Sequence, residues 1–423
     1  MRTRRPPKKK SRKSVPLQES TLTVEGVTPS GDGQVGNLII PFALPGEEVK
    51  VALRGQRADI LERHNDAANR HEGVCRHFGL PGDGCGGCTL QHWGEEAARD
   101  LKRARLLFQL RKIDPEAELS AVHTSPPLSR RRAKFAVTAE GVGFRQLAGG
   151  RVVNLRECDI LHPDLMPLTR PLATLARDLR GEFPSSFEAH AALTETGIDL
   201  ALSGVNEQDL SFNARERLSA FADEYDLARL SADGVTAAER RTPRVTLGGV
   251  PVALPTGAFL QATEAGEAAL LAEVLAAAEG SESAADLFCG VGTFALPLSS
   301  ERRVLAVEGD QAAVSALSTA AKAAGREIRA SQRDLFARPL QADGLRGVDF
   351  AVFDPPRAGA LEQARELARA AVPTIVAVSC NPATLARDAA AFVSDYDLIR
   401  AVMVDQFGWS PHIETVAVFR RRT

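Results

Sequence analysis

Between residues 20 and 62 apolar and polar positions alternate, broken by Gly and Pro, in the segments TLTVEGV, GNLIIPFALPGEEVKVAL and RADILERH. Alternation with a period of two predicts short antiparallel strands that bury one face. About fifty residues in this rhythm suit a five-stranded barrel of the OB type. The loop-rich stretch CRHFGLPGDGCGGCTLQH follows, then a helical pattern from Glu95 to Leu110 with Arg and Lys on its polar face. Extended to residue 112, that helix is expected to pack on the last domain of the chain.

Residues 130–240 mix strand-like pieces (AKFAVTAEGVGFR, RVVNL, GIDLALSG) with helical ones (DLMPLTRPLATLARDLR, ARERLSAFADEY), the pattern of an α+β domain. From about Pro251 the texture changes: helices such as EAGEAALLAEVLAAAEG alternate with the apolar strands AADLFC, RVLAVEG, DFAVFDPP, PTIVAVSCN and ETVAVFRR. Strands alternating with helices predict a parallel, doubly wound sheet that binds its ligands beyond the carboxyl ends of the strands. The expected architecture is multidomain α/β. It comprises a basic tail at 1–15, an OB-like barrel at 16–68, a central α+β domain at 69–245 and a Rossmann-like domain at 246–423.

A chain of 423 residues is too long for one core. Its 44% hydrophobic and 25% charged residues are ordinary for a globular protein. No apolar run approaches a membrane span, and no apolar stretch follows the basic N-terminus as a secretory signal requires. A cytoplasmic monomer with no membrane partner is expected. Charge is unevenly placed: the first fifteen residues carry eight Lys or Arg and no acid, so a formal net charge of −2 leaves about −10 for the rest. Such an arm is either a solubilising tail or an electrostatic handle for phosphates.

The segment DLFCGVGTFALPL, residues 286–298, reads as strand, glycine turn and helix. Gly290 and Gly292 allow a tight turn and close approach of backbone to a ligand, and Glu308 stands where an acid can hold ribose hydroxyls. The spacing Gly290-x-Gly292-x-x-Ala295 also fits a dinucleotide fingerprint, so a nicotinamide cofactor competes on this segment alone. Two further acids favour S-adenosylmethionine. Asp286, on the first strand, can face a methionine ammonium, and Asp334, after a later strand, can receive an adenine amine.

DPPR, residues 354–357, ends another strand at the same sheet edge, with Arg357 where enzymes that methylate exocyclic amines carry an aromatic residue. Cys380 ends the strand TIVAVSC and precedes Asn381-Pro382. A thiolate there suits methylation at C5 of uracil, itself a poor nucleophile. Addition to C6 makes an enolate whose C5 takes a methyl from a sulfonium, and a base then removes the C5 proton so that the cysteine can leave. Glu414, in SPHIETVAVF, is the expected base, with His412 second.

At this point the chain resembles the RNA 5-methyluridine methyltransferases that modify bacterial 23S ribosomal RNA and tRNA. The resemblance runs through VEGVTPSGDGQVGNLIIPFALPGEEVKV, which is TRAM-like, and then FLQAT, DLFCGVGTF, DPPRAGA, SCNPATLARD and PHIE. It implies that Cys380 is the nucleophile and Glu414 the base, that Gln261, Glu308 and Asp354 line the cofactor and uridine pocket, and that Phe259 lies near them. The family commonly has Asn where Thr263 stands here.

Six cysteines in a cytosolic chain point to metal or catalysis rather than disulfides. Cys75-x9-Cys85-x2-Cys88 with the distant Cys158 supplies four thiolates, which suit tetrahedral zinc or an iron–sulfur cluster, while His77 and His92 keep a mixed Cys/His zinc site open. The resemblance implies a 4Fe–4S cluster, although the family's usual first gap is shorter by four residues. It also favours 23S ribosomal RNA as substrate over tRNA. Two readings of other classes compete: a non-catalytic RNA-binding or ribosome-assembly factor, and a nicotinamide-dependent oxidoreductase.

Overall fold

The computed structural model describes residues 18–79, 84–147 and 150–422, so the basic arm of residues 1–15 lies outside the described residues. The chain divides into two compact units. One ends at Glu72 and takes in His92–Gly94; the other comprises Gly73–Gln91 and everything from Glu95 on.

The first unit is a sheet in the order Glu19–Thr23, Glu48–Arg54, Arg57–Arg63, Leu38–Ile40, Gly33–Val35, Gly26–Val27. Six strands form rather than the expected five because the segment TLTVEGV changes partner midway. Thr23 pairs with Glu48, the Val24 amide bonds the Glu47 carbonyl at 2.8 Å, and Gly26 pairs with Gln34. Alternation works as the pattern requires: Val49 and Val51 point inward with Val24, Ile40, Ala43 and Ala58. Glu47, fully buried, is held by two hydrogen bonds from Arg70 and by the Leu44 amide at 2.9 Å, so its charge is compensated.

The second unit carries two large sheets. Seven strands, in the order Val152–Asn154, Val142–Arg145, Arg132–Thr138, Ser186–Thr194, Gly197–Ser203, Arg229–Ala232, Val235–Glu239, form the α+β part. They are antiparallel except where Gly197–Ser203 runs parallel to Arg229–Ala232. Helices Thr169–Asp178 and Phe212–Glu224 cover the apolar face, around Phe135, Leu172, Leu200 and Phe221.

The other sheet has the order Ile328–Gln332, Arg303–Glu308, Ser283–Leu287, Phe350–Phe353, Thr374–Ser379, Glu414–Arg421, Tyr396–Asp405, Ala121–Thr124. Its first five strands are parallel and read as continuous apolar runs at the centre, because both faces are covered. Glu414–Arg421 is antiparallel to both neighbours. The edge strand Ala121–Thr124 comes from the stretch expected to belong wholly to the central domain. Helix Glu95–Leu110 precedes it and is pinned to this sheet by buried Lys102, whose ammonium donates to both Asp405 carboxylate oxygens at 2.9 and 2.7 Å. Strand order reverses around Ser283–Leu287, which has Arg303–Glu308 on one side and Phe350–Phe353 on the other; the crevice of a doubly wound sheet opens at such a point.

Candidate active site

The strand Ser283–Leu287 runs into a turn built from three left-handed residues, Phe288 (φ 65°), Gly290 (φ 53°) and Gly292 (φ 103°). A Cβ on Gly292 would stand 2.6 Å from Leu317 Cδ1, so a side chain here would displace that leucine as well as strain the left-handed backbone. Glu308 ties the turn down: one carboxylate oxygen accepts from the Gly290 amide at 2.9 Å and the other from the Gly309 and Asp310 amides at 2.6 and 3.0 Å.

Asp286 lies fully buried at this turn, where among the described residues no side chain bonds either of its oxygens and only the Ala295 amide is near enough to offset its charge in part. Burial, with Asp354 and Glu308 nearby, pushes its carboxyl well above the usual range. A buried carboxylate without a partner is costly unless a cation answers it. Asp334 sits at the crevice rim, where one oxygen accepts from the Phe336 and Ala337 amides at 2.9 and 3.1 Å. The half-exposed Phe336 ring meets Phe288 at 5.3 Å between centroids. This aromatic pair escaped the sequence reading. The signal available was an aromatic residue directly before a Cys-Gly turn, which no periodicity marks because Phe288 leaves the strand in a left-handed conformation.

Two strands away, Thr374–Ser379 pairs with Glu414–Arg421, and the last rung of the ladder joins Ser379 to Thr415. Cys380 and Glu414 are the next residues, so they occupy the same end of adjacent strands. The chain leaves through Asn381, which caps helix Pro382–Ala389 by accepting from the Ala383 amide at 3.1 Å. Half-buried Cys380 is pushed up to about 11 by burial, with Glu414 and Asp354 adding and Arg357 opposing. Glu414 is buried at 7% exposure. Burial first and Asp354 second drive its carboxyl well above the usual range, against Arg132 and a hydrogen bond with Gln406. Burial also raises Asp354, at the end of Phe350–Phe353, to about 7.

Gln406 connects this pair to the other expected pocket residue. Its amide nitrogen donates to Gln261 Oε1 at 2.9 Å, and both side chains are buried. Thr263 caps helix Glu264–Ala277, accepting from the Gly266 amide at 3.0 Å. Phe259 is exposed, with the Arg132 guanidinium over its ring at 4.1 Å. The half-buried His412 ring packs edge-on against Phe407 at 5.9 Å and faces a different cavity.

That cavity, of about 200 Å³, is lined by Cys75, Cys85, Cys88 and Cys158 together with His77 and His412. All four cysteines are free thiols. Burial raises Cys75 and Cys85 and carries Cys88 up to about 12, and proximity to one another adds in each case. Among the described residues no group of three or more Cys, His, Asp or Glu side chains is placed to hold a metal ion. His92 does not line the cavity; it belongs to the first unit, where its ring meets Phe42 at 5.3 Å. The amides of Thr89 and Leu90, directly after Cys88, both donate to the Trp409 carbonyl at 2.9 Å, joining the cysteine loop to the segment that leads to Glu414.

Comparison with known proteins agrees with this geometry. Residues 253–422 match the family described as tRNA (Uracil-5-)-methyltransferase. An RNA methyltransferase of Caulobacter vibrioides, described as uncharacterised, is 38% identical over 416 residues, covering 95% of this chain and 99% of its own. The 23S rRNA (uracil(1939)-C(5))-methyltransferase RlmD of Pseudomonas entomophila is 33% identical over 440 residues, covering 95% and 94%. Among solved structures, the Pyrococcus abyssi tRNA (uracil-54, C5)-methyltransferase in complex with S-adenosyl-L-homocysteine superimposes with a TM-score of 0.73 at 21% identity, covering 95% of this chain and 100% of that one.

Proposed function

This chain belongs to the RNA uracil-5-methyltransferase family, enzymes of the class I S-adenosylmethionine-dependent fold, and we propose that it methylates C5 of a uridine in 23S ribosomal RNA through a covalent adduct between Cys380 and C6. The observation that carries the reading is the placement of Cys380 and Glu414 at the same end of two paired strands, close to Asp354, which in turn neighbours Asp286.

S-adenosylmethionine, when bound, supplies the electrophilic methyl group. The residues present fit it: Asp286 is a buried carboxylate with no side-chain partner among the described residues, suited to an ammonium. Glu308 and the turn at Gly290 and Gly292 suit the ribose, Asp334 and the Phe288–Phe336 pair suit the adenine, and Gln261 suits the methionine end or the uracil edge. Cys380 must first lose its proton, and Asp354, raised by burial to about 7, is the carboxylate beside it that can accept, although the thiol at about 11 makes that transfer uphill. The thiolate then bonds to C6, and C5 becomes nucleophilic. After methylation Glu414 takes the C5 proton, a role its raised pKa suits, and the C6–sulfur bond breaks. His412 faces the cysteine cavity, which favours Glu414 as base.

A 4Fe–4S cluster held by Cys75, Cys85, Cys88 and Cys158 is the group that four thiols around one cavity would suit, in a lining that also includes Glu157 and Asp159. Its role is structural, since methyl transfer moves no electrons. The six-stranded sheet serves as a TRAM-like RNA-binding module, aided by the basic arm, in a cytoplasmic monomer; no helix is long and apolar enough to cross a membrane among the described residues. Ribosomal RNA is favoured over tRNA by full-length similarity to the Pseudomonas entomophila enzyme. Mass mapping of 5-methyluridine in ribosomal RNA and tRNA from a deletion strain tests this. A missing 23S modification supports the assignment, and a missing tRNA modification with 23S RNA intact transfers the activity to tRNA.

A further inference from the structure

Three consecutive arginines open the strand Arg132–Thr138 and its approach, and they have different surroundings. Arg131 is paired: it donates to the Glu267 carboxylate at 2.6 Å and to the Gln261 carbonyl at 3.2 Å. Arg130 stands 5.7 Å over the Phe407 ring, beside the cysteine cavity. Arg132 lies 4.1 Å over Phe259, and its Nε is buried with no hydrogen-bond partner among the described residues. The Arg131 amide donates to the Ala262 carbonyl at 2.9 Å, which fixes this turn of chain alongside Phe259–Gln261. Burial, with Arg130 beside it, lowers the Arg132 pKa to about 10, and the Glu414 charge pulls it back up. A guanidinium desolvated in this way, with an unused donor and an aromatic platform, is arranged for an anion or for charge that develops during reaction.

We propose that Arg132, clamped on Phe259 beside the Cys380–Glu414 pair, is a further catalytic residue that stabilises the negative charge appearing on the uracil carbonyl when the thiolate adds to C6. The inference rests on the covalent reading above. As the sulfur–C6 bond forms, the C5–C6 π pair moves toward C4 and the O4 oxygen takes the charge. As C5 bonds to the methyl group, the carbonyl re-forms and the charge leaves. A fixed donor in a low-dielectric site stabilises that intermediate more than the neutral base, so its effect falls on the rate of addition rather than on RNA binding.

The test is single-turnover formation of the protein–RNA adduct with a 5-fluorouridine RNA at saturating enzyme, beside equilibrium binding of the same RNA. R132M is expected to slow adduct formation by about 10²-fold or more, the range for loss of one oxyanion donor. R132K should recover part of that loss, and RNA affinity should change by less than about tenfold, as for a single contact. F259A, which keeps the guanidinium but removes its platform, should give a smaller slowing. R132M forming adduct at the wild-type rate, or losing RNA affinity alone, would overturn the assignment and leave Arg132 a phosphate contact. Wild-type protein that forms no adduct at all would remove the covalent reading itself, and the role of Arg132 with it.

Discussion

Asp286, Asp354 and Glu414 are three acids raised first by burial, with Asp354 adding to the rise of the other two, and each carries a cost that its chemistry repays. For Asp286 the sign can be worked out. Its folded pKa lies above the unfolded value, so the folded chain binds the extra proton, and stability is greatest below the unfolded pKa and declines as pH rises toward the folded one. Asp286→Asn should therefore stabilise cofactor-free protein at neutral pH by about 1–3 kcal/mol of relieved desolvation, seen as a higher melting temperature, while S-adenosylmethionine affinity falls; differential scanning calorimetry and calorimetric titration read the two. Cys380 and Glu414 should fail differently. Cys380→Ala should lower kcat by about 10⁴-fold or more with no adduct on denaturing gels. Glu414→Gln should lower turnover by about 10²–10⁴-fold and accumulate a methylated protein–RNA adduct. An active Cys380→Ala enzyme refutes the covalent reading, and normal turnover by Glu414→Gln moves the base elsewhere. These residues could be picked from the chain because each lies on, or at an end of, a recognisable strand. Phe288, Phe336 and Arg132 could not, since their significance lies in a left-handed turn, a ring contact and an unused donor that spacing does not reveal.

At the scale of elements, the apolar runs of the doubly wound sheet appear where the pattern put them. AADLFC covers all of Ser283–Leu287 but its first residue, DFAVFDPP contains Phe350–Phe353, and ETVAVFRR is the strand Glu414–Arg421. Those runs are legible because burial on both faces removes polar interruptions. Ala121–Thr124 was not, as four residues at a sheet edge, half-buried, leave no distinctive period. The sixth N-terminal strand was missed for another reason: a change of partner at Val24 and Glu25 keeps the alternation intact while splitting the strand. Among elements, the cysteine loop has the most testable consequence. Anaerobically purified protein should carry about four irons per chain. Cys88→Ala should lose them and also loosen the Thr89 and Leu90 contacts to Trp409, read as faster amide hydrogen exchange across residues 405–414. Stoichiometric zinc in place of iron would refute the cluster.

For the whole molecule, the uneven charge sets how RNA is held. With eight Lys or Arg in the first fifteen residues against about −10 elsewhere, deletion of residues 1–13 should weaken RNA binding across sequences. It should also flatten the log–log salt dependence by up to about 5, without changing which uridine is methylated. An unchanged salt slope in filter-binding assays would make the arm a solubiliser. The catalytic sheet also has a practical polarity. Cys380 and Glu414 stand at one end of the ladder joining Thr374–Ser379 to Glu414–Arg421, whereas Tyr396 pairs with Arg421 at the other, roughly 20 Å away for six rungs. The exposed Ser394–Asp395 turn enters at that far end. An affinity epitope grafted there sits clear of any trapped nucleotide, so the Glu414→Gln protein becomes a capture reagent: cross-linked to its own target in living cells and recovered through the turn, it would report the modified transcript directly by sequencing.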